Sequence, residues 1–511
     1  MIRSRLFETA AVLMAAAVGA VSAFSNTTYS GSAATPPLFL NNNTQKFAVD
    51  GASLPDFSFD IGESYAGSLP ITSDPNDPNK LWFWFVPSTN PAASKEVIVF
   101  FNGGPEPVSN PWAWSKLTNV MWIDQPVNTG YSSGTPTVEN QDDVAEQFMG
   151  FWKNFIDTFS LQGADIYLSG QSYAGRYLSY IGVAMLDAND TTYYNFQGSM
   201  FIDTLIADHQ VQQDMDVVQF VDNMNDFLRL NDTFLDQIRY ASDACGIDDY
   251  RSAHLVYPGI ANGSSDLPDV ESYEYDGVER LCADLTADIL TALTVQNPCF
   301  DETHVSNYCP NLASALGYPT YSVPTIDEDE AIEYLDKRAY DFKQPYLNRE
   351  DVKAALHAPL AKFWVLCNQK GVSVNGTTIS AKQPVKGKLP DLIERSKRTV
   401  IVHGALDLQV TVNGTLIAIQ SMEWGGAKGF STPPTDDFFV PTHSKRLIAA
   451  SAPRGNSGKT ITERGLTFVE VFGAGHQVPR YNPSGSYRQL EYLLGRVDSL
   501  TEDIPFTTDT V

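Results

Sequence analysis

The chain has 511 residues, 43% of them apolar and 12% aromatic, enough to build a large core and to exclude wholesale disorder. Against 34 Lys and Arg stand 61 Asp and Glu, a formal net charge of −27 at pH 7; this excludes nucleic acid as a partner, because that binding needs clustered cations. The acidity reads as a solvated surface compatible with an acidic compartment, and past the N-terminus no apolar run reaches the roughly 18 residues of a membrane span.

In chain order, Arg3 and Arg5 precede an apolar stretch from Ala10 to Val21, and Val21-Ser22-Ala23 supplies small residues. That sequence of features predicts a signal peptide over residues 1–23, cleaved after Ala23, and so a secreted or vacuolar protein. Residues 24–60, rich in Ser, Thr, Asn and Pro, read as an N-terminal arm or pro-segment. Strands are predicted at Leu81–Val86, at Glu96–Phe101, which runs into Asn102-Gly103-Gly104-Pro105, and at Asn119–Ile123, which runs into Asp124-Gln125-Pro126. Val144, Phe148, Phe151, Trp152, Phe155 and Phe159 recur at three- and four-residue steps, one apolar helical face. A short strand, Asp165–Ser169, enters Gly170-Gln171-Ser172, and Arg176–Leu186 reads as a helix. Thr399–His403 is a strand stopping at Gly404-Ala405-Leu406-Asp407; Leu466–Val471 is another, stopping at Gly473-Ala474-Gly475-His476. An amphipathic helix is predicted from Pro483 to Leu494.

Strands alternating with helices predict an α/β fold: a mostly parallel central sheet flanked by helices. Residues 61–204 and 346–498 form this core. Residues 205–345 read as a helical, disulfide-bearing insertion holding four of the five cysteines, and residues 499–511 as an acidic tail. In an oxidising compartment the cysteines pair, and an odd number leaves one over; spacing alone allows several connectivities. Asn26, Asn42, Asn189, Asn231, Asn262, Asn375 and Asn413 each open an N-x-[ST] triplet and are glycosylation candidates. No Cys or His grouping has metal-ligand spacing, so neither metal nor cofactor is expected.

Ser172 carries the chemistry. An acyl-transferring serine needs an exposed hydroxyl on a tight turn, a His to take its proton and an acid to orient that His. The strand–turn–helix context at Ser172 supplies the turn, with Gly170 in place and Ala174 where the general elbow pattern asks for Gly. Such a loose pattern arises by chance roughly 0.4 times in a chain of this length, so its partners decide. Asp407 and His476 each follow a predicted strand, in the order Ser…Asp…His of the α/β-hydrolase fold, and active residues gather at the carboxyl ends of parallel strands. His403, inside a strand, reads as a core residue, and the other five histidines as structural or surface residues. Two backbone N–H groups form the oxyanion hole, from Tyr173 after the nucleophile and from the Gly103-Gly104 turn.

At these residues the chain resembles the serine carboxypeptidases. Gly170-Gln171-Ser172-Tyr173-Ala174-Gly175-Arg176-Tyr177 is close to that family's nucleophile motif. Ile123-Asp124-Gln125-Pro126-Val127-Asn128-Thr129-Gly130-Tyr131-Ser132 looks like its second signature, Gly473–Pro479 like its histidine motif, and Asn102–Pro105 like the start of its oxyanion segment. The resemblance runs from about residue 80 to about residue 495. It implies removal of the C-terminal residue of peptides and proteins at acidic pH without a metal: Ser172 as nucleophile, His476 as base then acid, Asp407 orienting it, Gly104 and Tyr173 as oxyanion donors, and Asn102 with Gln171 holding the substrate carboxylate. The same scaffold also serves acyltransferases and esterases.

Two departures stand out. The family usually has Glu where this chain has Gln171; an amide donates to a carboxylate at any pH, an acid only while protonated. The family also continues past the Gly-Gly-Pro turn with a Gly-Cys-Ser-Ser helical stretch that is missing here. Only Pro105–Thr118 separates the two strands, near the minimum for a parallel crossover. By resemblance, the Cys of that stretch bridges to a Trp-x-x-Cys element, here Trp364–Cys367. Cys367 is then unpaired, and the implied bridges are Cys245–Cys282 and Cys299–Cys309. Loss of the stretch also raises a third reading, a catalytically impaired truncated isoform.

Overall fold

Eleven strands form one sheet in the order β1-β2-β3-β5-β4-β6-β7-β8-β11-β10-β9. The strands are β1 (Ala48–Val49), β2 (Ser64–Pro70), β3 (Lys80–Val86), β4 (Glu96–Phe101), β5 (Asn119–Asp124), β6 (Asp165–Gln171), β7 (Phe196–Ile202), β8 (Arg398–Gly404), β9 (Asp436–Val440), β10 (Gly455–Glu463) and β11 (Leu466–Val471). This is a computed structural model, and it describes residues 37–57, 59–101, 110–260, 266–308, 346–365, 372–374, 379, 382–442 and 452–508; from Phe39 onward the chain forms one unit. Parallel ladders join β4 to β5 and β6, β6 to β7, β7 to β8 and β8 to β11. The outer pairs are antiparallel. This is the α/β-hydrolase architecture, with a mostly parallel centre and helices on both faces.

The central strands are apolar along their whole length because both faces are covered. Ile401, Phe201, Leu168 and Val99 point to one face, where they meet Phe148, Phe151, Trp152 and Phe155 of helix α1 (Gln141–Phe159) and Leu178 and Ile181 of α2 (Ala174–Ala188). Val400, Val402, Met200 and Ile98 point to the other, against Tyr487, Leu490 and Leu493 of α3 (Pro483–Leu493). Each fully buried Phe or Leu contributes about 1.5–3 kcal/mol. Helix α1 starts three residues before its predicted apolar stripe, at a capping box in which Asn140 accepts from the Asp143 N–H and Asp143 bonds back. It ends at Ser160 in the left-handed region, φ 56.

Every strand predicted from the sequence is present within one or two residues, but β1, β2, β7, β9 and β10 lay outside that reading. β7 carries Gln197-Gly198-Ser199 in its centre, which blurs the apolar run. Gly198 is there because a Cβ would sit 2.5 Å from the Arg398 carbonyl oxygen of β8. At β10, a Cβ on Gly458 would overlap the Glu470 carbonyl of β11. Both are close backbone approaches, and they erase the sequence signal of a strand. Phe39 and Phe47, read as arm residues, are buried in the main core. Near the other end Leu500 is buried and Phe506 packs 5.6 Å from the Tyr487 ring.

The described residues between 205 and 308 carry four α-helices, Val217–Leu228, Asp232–Ala244, Ile247–His254 and Leu285–Gln296, and the hairpin Ser272–Tyr275/Val278–Leu281. The Cys245–Cys282 disulfide ties helix Asp232–Ala244 to the end of that hairpin. Cys299 is disulfide-bonded; Cys309 and Cys367 lie outside the described residues, as do Asn26, Asn262 and Asn375. Asn42, Asn189 and Asn231 are exposed, whereas the Asn413 amide donates to Asp216 at 3.3 Å. Among the described residues no helix is long and apolar enough to cross a membrane.

Candidate active site

Four consecutive sheet neighbours, β6, β7, β8 and β11, run parallel and end at one edge. The residues that leave them are Ser172, Asp203, the Gly404–Asp407 loop and the loop to His476. A continuous set of backbone bonds ties these exits together: Ser172 N–H to Ile202 O (3.2 Å), Asp203 N–H to Val402 O (2.9 Å), Ala405 N–H to Val471 O (3.0 Å) and Leu406 N–H to Ala474 O (2.8 Å).

Ser172 has φ 60, a left-handed backbone that a non-glycine residue adopts at a cost of order 1–3 kcal/mol. Its carbonyl accepts from Leu205 N–H at 3.0 Å and Gly175 N–H at 3.2 Å, which locks the turn. The small neighbours have steric reasons. A Cβ on Gly170 would lie 2.6 Å from Ala174 Cβ, and one on Gly175 would lie 2.7 Å from both Leu205 O and Thr204 Cβ. Ala174 is tolerated where the general pattern asks for Gly because it packs over the bare Gly170. Tyr173 caps the N-terminus of α2, where backbone N–H groups lack intrahelical partners and favour negative charge. Its hydroxyl accepts from Gln141 Nε2 at 3.0 Å. Gln171, next to Ser172, is buried. Asn102, Gly103 and Gly104, the other oxyanion and carboxylate candidates, lie outside the described residues, together with the Pro105 junction.

Asp407 and His476 are buried and joined, Asp407 Oδ2 to His476 Nδ1 at 2.7 Å. Asp407 Oδ1 also accepts from Gln409 N–H (3.0 Å) and Val410 N–H (3.3 Å). Nδ1 is thereby the protonated nitrogen, and Nε2 is left with the free lone pair. Burial lowers the His476 pKa, but the charge and hydrogen bond of Asp407, with Glu302 and Asp301 adding to them, more than offset this and raise it overall. Among the described residues the one acid–His grouping tight enough to suggest a metal is Asp203, Asp407 and His476. Asp407 and His476 are bonded to each other, so the grouping is a hydrogen-bonded Asp–His pair with a third, carboxyl neighbour.

Two features escaped the sequence reading. Asp203 is fully buried beside Asp407; with β7 unrecognised, nothing marked it as a strand-end residue. The segment Asp301–Val305 lies across the loops that carry Asp407 and His476: Thr303 O accepts from His476 N–H at 2.7 Å, Glu302 O from Leu408 N–H at 2.9 Å, and Val305 N–H donates to Leu406 O at 3.1 Å. Burial and the nearby Asp407 raise the Glu302 pKa. His403 is the core residue expected, its Nε2 2.6 Å from Val410 O.

The Ile123–Ser132 motif does structural work. Asp124 is buried; it accepts from Tyr131 N–H at 2.8 Å and Trp364 Nε1 at 3.2 Å. Ser132 Oγ donates to Asp124 O at 2.6 Å and accepts from Trp82 N–H at 2.8 Å. Lys362 Nζ binds Asn128 Oδ1 and Ser132 O, each at 2.7 Å.

A family model described as serine carboxypeptidase matches residues 106–496. The chain is 40% identical over 495 residues to "Probable serine carboxypeptidase" of Arthroderma benhamiae, covering 91% of this chain and 89% of that one. It is 34% identical over 506 residues to "Serine-type carboxypeptidase F" of Aspergillus niger, covering 90% and 89%. A solved structure of Kex1(delta)p, a prohormone-processing carboxypeptidase from Saccharomyces cerevisiae, has a TM-score of 0.63 at 20% identity, covering 91% of this chain and 99% of that one, a likeness of fold.

Proposed function

The chain belongs to the serine carboxypeptidase family and is a serine-type carboxypeptidase; from that premise we propose that it works through an acyl-enzyme on Ser172. The observation that carries the reading is the buried 2.7 Å bond between His476 Nδ1 and Asp407 Oδ2 at the same sheet edge as Ser172. Ser172 Oγ attacks the carbonyl of the last peptide bond while His476 Nε2 takes its proton. The oxyanion is met by the N–H groups of Tyr173 and Gly104. The tetrahedral intermediate collapses, His476 protonates the departing amino acid, and water, activated by the same His, releases the shortened peptide. Asn102 and Gln171 hold the terminal carboxylate.

Entry to the secretory pathway through residues 1–23 fits the Cys245–Cys282 disulfide. The shortened stretch after Pro105 is part of the same proposal. Losing one oxyanion donor costs roughly 10²–10³ in kcat.

The test is release of the C-terminal residue from N-blocked dipeptides by the secreted full chain, with fluorophosphonate labelling of Ser172. Release and labelling, both lost in Ser172→Ala, are expected; an unlabelled, folded wild type would overturn the reading. Gln171→Glu should add an alkaline fall in kcat/KM that the wild type lacks, and identical pH profiles would refute the amide argument.

A further inference from the structure

Asp203 has no part in the steps above, yet it sits against the acid that orients the base. It leaves β7 with φ 46 and is fully buried. Its Oδ1 accepts from Gly404 N–H at 2.7 Å. Its Oδ2 is buried with no hydrogen-bond donor among the described residues. The nearest carboxylate and imidazole atoms of Asp203, Asp407 and His476 all lie within 4.8 Å of one another.

Among the described residues, the titratable groups facing Asp203 are Asp407, His476 and His403. His403 Nε2 is 3.6 Å from Asp203 Oδ1, but that nitrogen donates to Val410 O at 2.6 Å, and Nδ1 has no partner among the described residues. Burial disfavours its charged form, and its Nε2 is committed to the Val410 carbonyl. His476, the remaining candidate cation, is committed to Asp407. On its far side Glu302 and Asp301 add negative charge, not positive.

Two carboxylates this close in a dry site do not both ionise. Asp407 receives three N–H donors, from Gln409, Val410 and His476, whereas Asp203 receives one. The charge therefore belongs on Asp407 and the proton on Asp203. We propose that Asp203 is a positioning residue held as a neutral acid, whose O–H donates to Asp407 and so fixes the carboxylate that orients His476. The inference rests on the triad reading above.

Neutrality matters for the reaction. Burial and the adjacent Asp407 both raise the Asp203 pKa, which favours the neutral acid. Were Asp203 ionised, a second negative charge within 4.8 Å of the imidazole would raise the His476 pKa by about 2.5 units at an effective dielectric near 20. His476 would then be protonated, and useless as a base, over a correspondingly wider pH range.

The experiment is the pH profile of kcat/KM on an N-blocked dipeptide for the full-length wild type, Asp203→Asn and Asp203→Ala, each checked for fold by thermal melting. The Asn amide is a neutral donor of the same shape. It should keep kcat/KM within about threefold, with the acidic limb within about 0.3 pH units of the wild type. Ala removes the donor and should lower kcat by about 10–100-fold with KM little changed. A downward shift of the acidic limb by a pH unit or more in Asp203→Asn would mean the wild-type group is ionised, and overturns the proposal. So would full activity in Asp203→Ala, or an Asn variant that fails to fold, since the slot must accept a neutral isostere. Failure of the triad reading is seen separately, as persistent activity in Ser172→Ala.

Discussion

Replacing Asp407 with Asn tests the acid–base assignment at a single atom. Oδ1 of Asp407 is fixed as an acceptor by the Gln409 and Val410 N–H groups at 3.0 and 3.3 Å. In Asp407→Asn the amide oxygen must keep that place, so the NH₂ group takes the Oδ2 position, 2.7 Å from His476 Nδ1. A donor there forces His476 to accept at Nδ1 and to carry its proton on Nε2. The lone pair that should take the Ser172 proton is gone. The size of the side chain and both backbone bonds are kept, so folding should hardly change. Holding the wrong tautomer in a serine triad costs about 10⁴ in kcat, some 5.5 kcal/mol in activation free energy. The assay is kcat on an N-blocked dipeptide, with the rate of fluorophosphonate labelling as a substrate-independent measure of Ser172 nucleophilicity; both should fall together while the melting temperature stays within a few degrees. A loss under about 100-fold in a folded variant would refute the assignment of Asp407 as the orienting acid.

Three further outcomes are expected. A Cβ on Gly475 would overlap Thr303 O and lie 2.9 Å from His304 Cβ; Gly475→Ala should therefore push the Asp301–Val305 segment off His476, cutting kcat at least tenfold while destabilising by about 1–3 kcal/mol, and unchanged kinetics would show that the segment does not position the His. Burial raises the Asp124 pKa to about 7. The folded state then binds more protons than the unfolded one between about pH 4 and 7, so this contribution to stability is whole below pH 4 and is lost as pH rises through 7, up to about 4 kcal/mol in all. Denaturant titrations should accordingly show stability falling from pH 4 to pH 8, with a shallower fall in Asp124→Asn; equal slopes would contradict the assignment. Cys245 and Cys282 close a loop with a sequence separation of 37, so Cys245→Ser with Cys282→Ser should cost roughly 3–4 kcal/mol in urea unfolding, and an unchanged midpoint would rule out that contribution.

What the sequence by itself determined is whatever depends on neighbours along the chain. The buried central strands are continuous apolar runs, α1 is a 3.6-residue stripe, and the elbow at Ser172 is announced by Gly170, Ala174 and Gly175, whose smallness is required within a few residues of the turn. Asp407 and His476 were legible for the same reason, since each directly follows a β-branched or apolar strand. The tertiary structure decided the rest. β7 and β10 look polar because glycines at 198 and 458 answer to backbones 200 and 12 positions away, and a period of two cannot register such a contact. Asp203 became visible only when β7 was laid beside β8, which puts its carboxyl against Asp407. The Asp301–Val305 segment reaches the catalytic loops across more than 100 residues of chain. Its bonds to Leu406, Leu408 and His476 are made by backbone atoms, which every residue possesses and no side-chain pattern can mark.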